Sequence, residues 1–136
     1  MYKMYCIFAR ESVEKMKGNR GKLAAQAGHA YLHAFWDVIK PREELPTSES
    51  LEIAFRKSHQ AAQYMNSERA YKIALIVDTV EELIELQNHY KDICGTSLVK
   101  DAGFTVFEEP TITCLGLGPI SVDNIGRDLR SLKLFL

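Results

Sequence analysis

Apolar residues form short continuous runs in some segments and recur at spacings of three and four in others, and these two patterns predict which segments are strands and which are helices. Compact apolar runs over residues 2–10, 71–77, 97–99 and 111–117 predict four strands. Segments 22–40 and 51–65 carry apolar or small residues at spacings of three and four, which predicts helices. Thr79 and Glu82 form a capping box that opens a third helix ending at residues 94–95, and Ser121 can cap a last short helix.

This order of elements predicts an α/β fold in which helices cover a sheet. We expect a three-layer α/β/α sandwich around a four-stranded sheet. The short link between the last two strands favours a mixed sheet. Residues 11–21 are predicted to be a polar loop, and residues 41–50 an acidic connection bounded by prolines. At 136 residues the chain is expected to form a single domain.

The first predicted helix carries an unusual polar stripe. Lys22, Gln26, His29 and His33 are spaced by four, three and four residues, so they share one helix face. Small residues at 24, 25, 27, 28 and 30 would let the helix lie close to a sheet. Its N-terminus near Gly21 is suited to an anion such as phosphate. The alternative is a packing helix with a solvated lysine and internally bonded histidines.

Charge and cysteine content narrow the possible partners. With 17 basic and 18 acidic residues the chain is not broadly basic, but its N-terminal part has a local positive excess that includes Lys15, Lys17 and Arg20. That segment either follows phosphates or is an ordinary solvated loop. Three cysteines without metal-ligand spacing predict reduced thiols, no metal site and a cytoplasmic location. The sequence has no long apolar span, so no membrane partner is expected.

A second motif begins where a predicted strand runs into Lys100-Asp101-Ala102-Gly103, and Thr111 to Pro119 follows it. The end of a strand is where α/β sheets usually carry their chemistry, which makes Asp101 a candidate catalytic carboxylate. An aspartate at this place can also simply form a turn.

Together the two motifs resemble the second, archaeal and eukaryotic class of peptidyl-tRNA hydrolases. The resemblance covers the strand at 3–10, the helix start at 20–30 and nearly all of 71–136, whereas the helical segment at about 35–69 matches poorly. It implies a small α/β domain, commonly a homodimer, that cleaves the ester between a peptide and the 3′ ribose of tRNA without a cofactor. The catalytic positions it implies are Lys22, Gln26, His29, Asp101, Thr105 and Thr113.

The retained residues suit ester hydrolysis. Asp101 would orient or deprotonate water, and Lys22 would stabilise the oxyanion or bind a terminal phosphate. Gln26, Thr105 and Thr113 would position these groups. His29 is either a base or a structural histidine.

Substrate binding is assigned to the basic residues near the N-terminus. The resemblance includes Arg10, which closes the first strand, and the positive segment adds Lys15, Lys17 and Arg20. Phe104, Val106 and Pro110 depart from the family pattern. These departures leave a second hypothesis, a catalytically weak relative that acts as an RNA-binding or protein-interaction module.

Overall fold

The computed structural model describes residues 1–41, 47–103, 107 and 109–136. The strands are β1 (Tyr2–Ala9), β2 (Tyr71–Val77), β3 (Thr96–Asp101), β4 (Thr111–Ser121) and β5 (Lys133–Leu134). The helices are α1 (Arg10–Lys15), α2 (Arg20–Ile39), α3 (Ser48–Met65), α4 (Val80–Tyr90) and α5 (Arg127–Arg130), with a 3₁₀ turn at Val122–Asn124. The prediction of an α/β fold is confirmed.

The sheet has five strands in the order β3-β4-β1-β2-β5. β1 and β2 run parallel, while β4 is antiparallel to both β1 and β3, so the sheet is mixed. The prediction of four strands is wrong because Lys133 and Leu134 pair with Ile76 and Leu75 at the edge. A strand of two exposed residues is too short to produce an alternating pattern in the sequence.

The two faces of the sheet have separate cores, which follow from the two-residue period of β1. Tyr5, Ile7 and Ala9 belong to a buried cluster that includes Leu83 and Leu86 of α4. The intervening residues Cys6 and Phe8 pack instead with Ala30 of α2 and with Val99 and Cys114. Side chains of α4 and of α2 therefore pack against opposite faces of β1.

Residues 11–21 were predicted to be a polar loop, and this prediction is wrong for most of the segment. Helix α1 occupies Arg10–Lys15. Ser12 and Met16, four residues apart, are buried. This short, mostly polar segment therefore has one face that packs against the rest of the domain. The Glu11 carboxylate accepts the backbone N–H of Val80 at 2.8 Å and thereby caps the start of α4.

The long helices begin at side-chain caps. Asn19 caps α2, which starts at Arg20, two residues before the predicted position. Thr47 and Ser50 form a capping box for α3, so the end of the predicted 41–50 connection is helical, while residues 42–46 lie outside the described part. Thr79 caps α4 as predicted, but α4 ends at Tyr90, before the predicted Cys94.

Helix α2 lies very close to the sheet, as its small residues led us to expect, but only some of them make the approach. Ala30 and Ala34 are fully buried, and a Cβ added at Gly116 of β4 would lie 1.9 Å from the Ala30 carbonyl oxygen. Ala24 and Ala25 are exposed. The contact stripe therefore follows the four-residue steps Gln26, Ala30 and Ala34.

Candidate active site

A β-bulge in β4 sets up the candidate site. The β3–β4 register places Val99 opposite Cys114 and Lys100 opposite Ile112, so Thr113 is left without a partner on β3. The extra residue interrupts the alternation of side chains, and both Thr113 and Cys114 contact the α2 side of the sheet. The bulge therefore directs the Thr113 hydroxyl toward α2.

A chain of buried hydrogen bonds joins α2 to the ends of β3 and β4. The Thr113 hydroxyl donates to Gln26 Oε1 at 2.6 Å, and Gln26 Nε2 donates to Asp101 Oδ2 at 3.4 Å. Lys22 Nζ forms an ion pair with the same carboxylate oxygen, and Asp101 Oδ1 accepts the backbone N–H of Gly103 at 2.9 Å. Four of the residues predicted to be catalytic are thus brought together.

The site is largely closed to solvent, which strengthens the hydrogen bonds and the ion pair within it. The Asp101 side chain is 6% exposed and that of Lys22 is 18% exposed. Lys22 and the Gly103 N–H hold the pKa of Asp101 below its ordinary value, although burial acts in the opposite direction. Asp101 is therefore a carboxylate at neutral pH.

A side chain of the protein already bonds one of the backbone N–H groups at the start of α2. Asn19 Oδ1 accepts the backbone N–H of Lys22 at 3.0 Å. One of the N–H groups that an anion would contact at this helix end is therefore already bonded. The charged side chain of Lys22 is directed to Asp101.

Those of the remaining predicted site residues that the structure describes lie outside this network. His29 is exposed, and its ring contacts that of His33 edge-on with centroids 5.8 Å apart. Lys15, Lys17 and Arg20 are exposed. Thr105 lies outside the described residues, as do Phe104 and Val106.

Arg10 follows the C-terminal end of β1 and is half-exposed. Its Nε lies 3.2 Å from Asp78 Oδ1, and Asp78 directly follows β2, the parallel neighbour of β1. The guanidinium thus joins two strand ends at the surface. Such an exposed ion pair contributes little to stability, so Arg10 can exchange partners at small cost.

Sequence reasoning missed two groups that contact the network. Cys114 Sγ lies 3.6 Å from the carbonyl oxygen of Gln26, and the Thr113 hydroxyl also lies 3.4 Å from the carbonyl oxygen of Val99. Both contacts depend on the bulge, which no pattern of residues in the sequence predicts.

The described residues contain neither a cluster of metal ligands nor a membrane-spanning helix. Among them, no group of three or more histidine, cysteine, aspartate or glutamate side chains is arranged to hold a metal ion. No helix in the described ranges is long and apolar enough to cross a membrane.

Comparison with known proteins identifies the family of this chain. A family profile described as peptidyl-tRNA hydrolase PTH2 matches residues 2–135. The chain therefore belongs to the PTH2 family of peptidyl-tRNA hydrolases, which are enzymes.

Curated relatives of similar length carry the same name. A peptidyl-tRNA hydrolase of Methanopyrus kandleri is 37% identical over 121 residues, covering 88% of this chain and 89% of the relative. Those of Methanococcus vannielii and Sulfolobus acidocaldarius are 31% and 32% identical, covering 88% and 83% of this chain and 90% and 88% of the relatives. The similarity thus extends over most of each protein.

Proposed function

We propose that Lys22, Gln26, Asp101 and Thr113 form the site with which this peptidyl-tRNA hydrolase cleaves the ester between peptide and tRNA and releases free tRNA. The observation that carries the proposal is the buried hydrogen-bond chain from Thr113 through Gln26 to Asp101, closed by Lys22. Such a network places an anionic and a cationic group side by side with fixed orientation. Ester hydrolysis needs both, one for the water and one for the oxyanion.

Asp101 acts on the attacking water. An ionised carboxylate accepts a hydrogen bond from water, and its lowered pKa makes it a weak base. Orientation of the water is therefore its main contribution, with proton transfer developing as the hydroxyl adds to the ester carbonyl carbon. The bond between the carbonyl carbon and the 3′ oxygen of the ribose then breaks, and this oxygen leaves with the proton that Asp101 took from the water. Positioned acid–base groups of this kind contribute roughly 10²–10⁴-fold.

Lys22 stabilises the oxyanion that forms at the ester carbonyl. Its ammonium is held at Asp101 in a mostly buried position, next to the water rather than on the open surface where phosphates bind. A preorganised donor at this position is worth about 10²–10³-fold in kcat. This arrangement favours the oxyanion role over binding of a terminal phosphate.

The tRNA is held by the exposed basic segment beside the start of α2. Lys15, Lys17 and Arg20 are exposed there, and the buried Met16 fixes the segment to the domain. Arg10 adds a half-exposed charge. Phosphates of the acceptor end would lie along these side chains while the ester enters the site.

Retention of the network disfavours a non-catalytic RNA-binding module. Asp101, Gln26 and Thr113 are buried and bonded to one another, whereas binding of RNA phosphates requires no buried carboxylate. The test is release of free tRNA from a defined peptidyl-tRNA by the wild type, by Gln26→Leu and by Gln63→Leu, a matched change at an exposed residue of α3.

The proposed function predicts release by the wild type and by Gln63→Leu, and a fall of at least about tenfold in Gln26→Leu because Asp101 loses its link to Thr113. Tight tRNA binding without release by the wild type would support the binding module instead. Equal turnover by Gln26→Leu would remove Gln26 from the site.

The proposal also covers the layers of the fold, the oligomeric state and the cellular location of the enzyme. A three-layer arrangement is supported by the packing of α2 and α4 against opposite faces of the sheet. A homodimer is supported by exposed apolar side chains at one side of α2, Leu32, Trp36 and Ile39. A cytoplasmic location follows from a substrate produced by translation. Light scattering on Trp36→Glu tests the dimer, which this charge should dissociate.

A further inference from the structure

Ser12 is a buried polar residue to which the proposed chemistry assigns no role. It lies in α1 with 1% of its surface exposed. Its hydroxyl donates to the carbonyl oxygen of Ile112 at 2.6 Å, across 100 residues of sequence. This bond joins the first helix to the strand that carries the bulge.

At Ile112, β4 is still paired with β3 but has no partner on the β1 side. The β1–β4 register ends with Phe8 opposite Cys114, and β1 itself ends at Ala9 before the chain turns into α1. A further strand residue would otherwise satisfy the backbone at this point. The buried Ser12 hydroxyl supplies the missing donor for this partly buried carbonyl.

The bonded carbonyl belongs to the same planar peptide group as the N–H of Thr113. Holding the Ile112 oxygen therefore restricts rotation of the peptide that leads into the bulge. The Thr113 hydroxyl begins the hydrogen-bond chain to Gln26 and Asp101. Because Thr113 has no partner on β3, the pairing of β3 with β4 does not itself hold this peptide, and the bond from Ser12 restrains it.

We propose that Ser12 is a positioning residue of the hydrolase site. It fixes the Ile112–Thr113 peptide and so aligns the Thr113 hydroxyl with Gln26, which in turn orients Asp101. The inference rests on the proposed function, because it requires the network to act in hydrolysis. Ser12 itself does not contact the reacting ester.

The test is a double-mutant cycle with Ser12→Ala and Thr113→Val, measured as kcat and KM on a defined peptidyl-tRNA. Ser12→Ala should lower kcat by about threefold to tenfold, the range expected for one lost hydrogen bond, and leave KM unchanged. Ser12→Thr keeps the hydroxyl and should restore kcat. In the Thr113→Val background, Ser12→Ala should have no further effect on kcat.

Tyr64→Phe is the matched control for a lost buried hydroxyl. Tyr64 is 2% exposed, and its hydroxyl donates to the carbonyl oxygen of Ala70 at 2.8 Å, outside the proposed site. The control should lower the Tm and leave kcat unchanged. If Ser12→Ala is unfolded at the assay temperature, Ser12→Cys replaces it, since a thiol is a weaker donor.

Two results would overturn the inference. Wild-type kcat in Ser12→Ala would show that its bond only supports the fold, and effects of Ser12→Ala and Thr113→Val that multiply would show that Ser12 does not act through Thr113. Normal turnover by Thr113→Val would overturn the role of Thr113 together with the inference. Normal turnover by Ser12→Ala alone leaves the proposed function intact.

Discussion

Replacement of Lys22 by methionine should change both the pH dependence of the enzyme's stability and the pH profile of its kcat. The side chain pairs with Asp101 in a mostly buried position, and Asp101 keeps Gln26 Nε2 and the Gly103 N–H as partners after the change. Losing one charged partner while two neutral donors remain should cost about 2 kcal/mol of unfolding free energy. For a domain of this size that is roughly 6–10 °C in Tm.

The pKa of Asp101 determines at which pH the Lys22→Met variant loses stability. Lys22 is the largest cause that lowers the pKa, so without it burial dominates and the pKa rises. A carboxyl with a lowered folded-state pKa stabilises the fold above its unfolded value, ordinarily 3.8, and this contribution is lost as the pH falls through the folded-state pKa. Lys22→Met should therefore lose stability mainly near neutral pH and little at strongly acidic pH.

The assay is kcat for peptidyl-tRNA hydrolysis as a function of pH, with Lys22→Arg as a charged control. The acid limb of kcat should move to higher pH in Lys22→Met and stay low in the wild type and Lys22→Arg. The kcat plateau should fall by about 10²-fold or more in Lys22→Met through loss of oxyanion stabilisation. An unchanged limb and plateau, with KM rising steeply with salt, would refute this reasoning and assign Lys22 to phosphate binding.

Three further predictions concern the surroundings of the site. The double variant Lys15→Glu, Lys17→Glu should weaken tRNA binding and leave the Tm unchanged. The slope of log affinity against log salt should become flatter by about 0.7–0.9 per lost contact. Wild-type affinity would mean that this segment is a solvated loop. His29→Ala should raise KM and change kcat by less than about threefold, because the ring is exposed; a larger fall in kcat would make it a base. Gly116→Ala should lower the unfolding free energy, measured with urea, by at least about 1–3 kcal/mol, because the added Cβ would clash with the Ala30 carbonyl. An unchanged urea midpoint would contradict the close packing of α2.

Much of the fold could be predicted because its strands and helices carry their own local signals. The strand at Tyr71–Val77 has the predicted bounds, and the Thr79 cap correctly marked the start of α4. The edge strand at Lys133–Leu134 and the short helix at Arg10–Lys15 were missed because each is too short for periodicity to identify.

The candidate site could be predicted only in part. The four-residue spacing of Lys22 and Gln26 placed both on one helix face, and Asp101 was expected at a strand end. The bulge at Thr113 and the bond from Ser12 to Ile112 are tertiary features. They depend on how β4 pairs with β3 and on where β1 ends beside β4, which no local pattern reveals.

The most direct measurement is the rate of peptide release from a defined peptidyl-tRNA by the wild type and by Asp101→Asn. Asp92→Asn, at an exposed carboxylate between α4 and β3, is the matched control. Asparagine keeps the shape of Asp101 but loses its charge and the ion pair with Lys22, so kcat should fall by at least about tenfold while the fold is retained. The wild type and Asp92→Asn should turn over equally. Comparable kcat in Asp101→Asn would contradict the proposed site, and no release by the wild type would contradict hydrolysis itself.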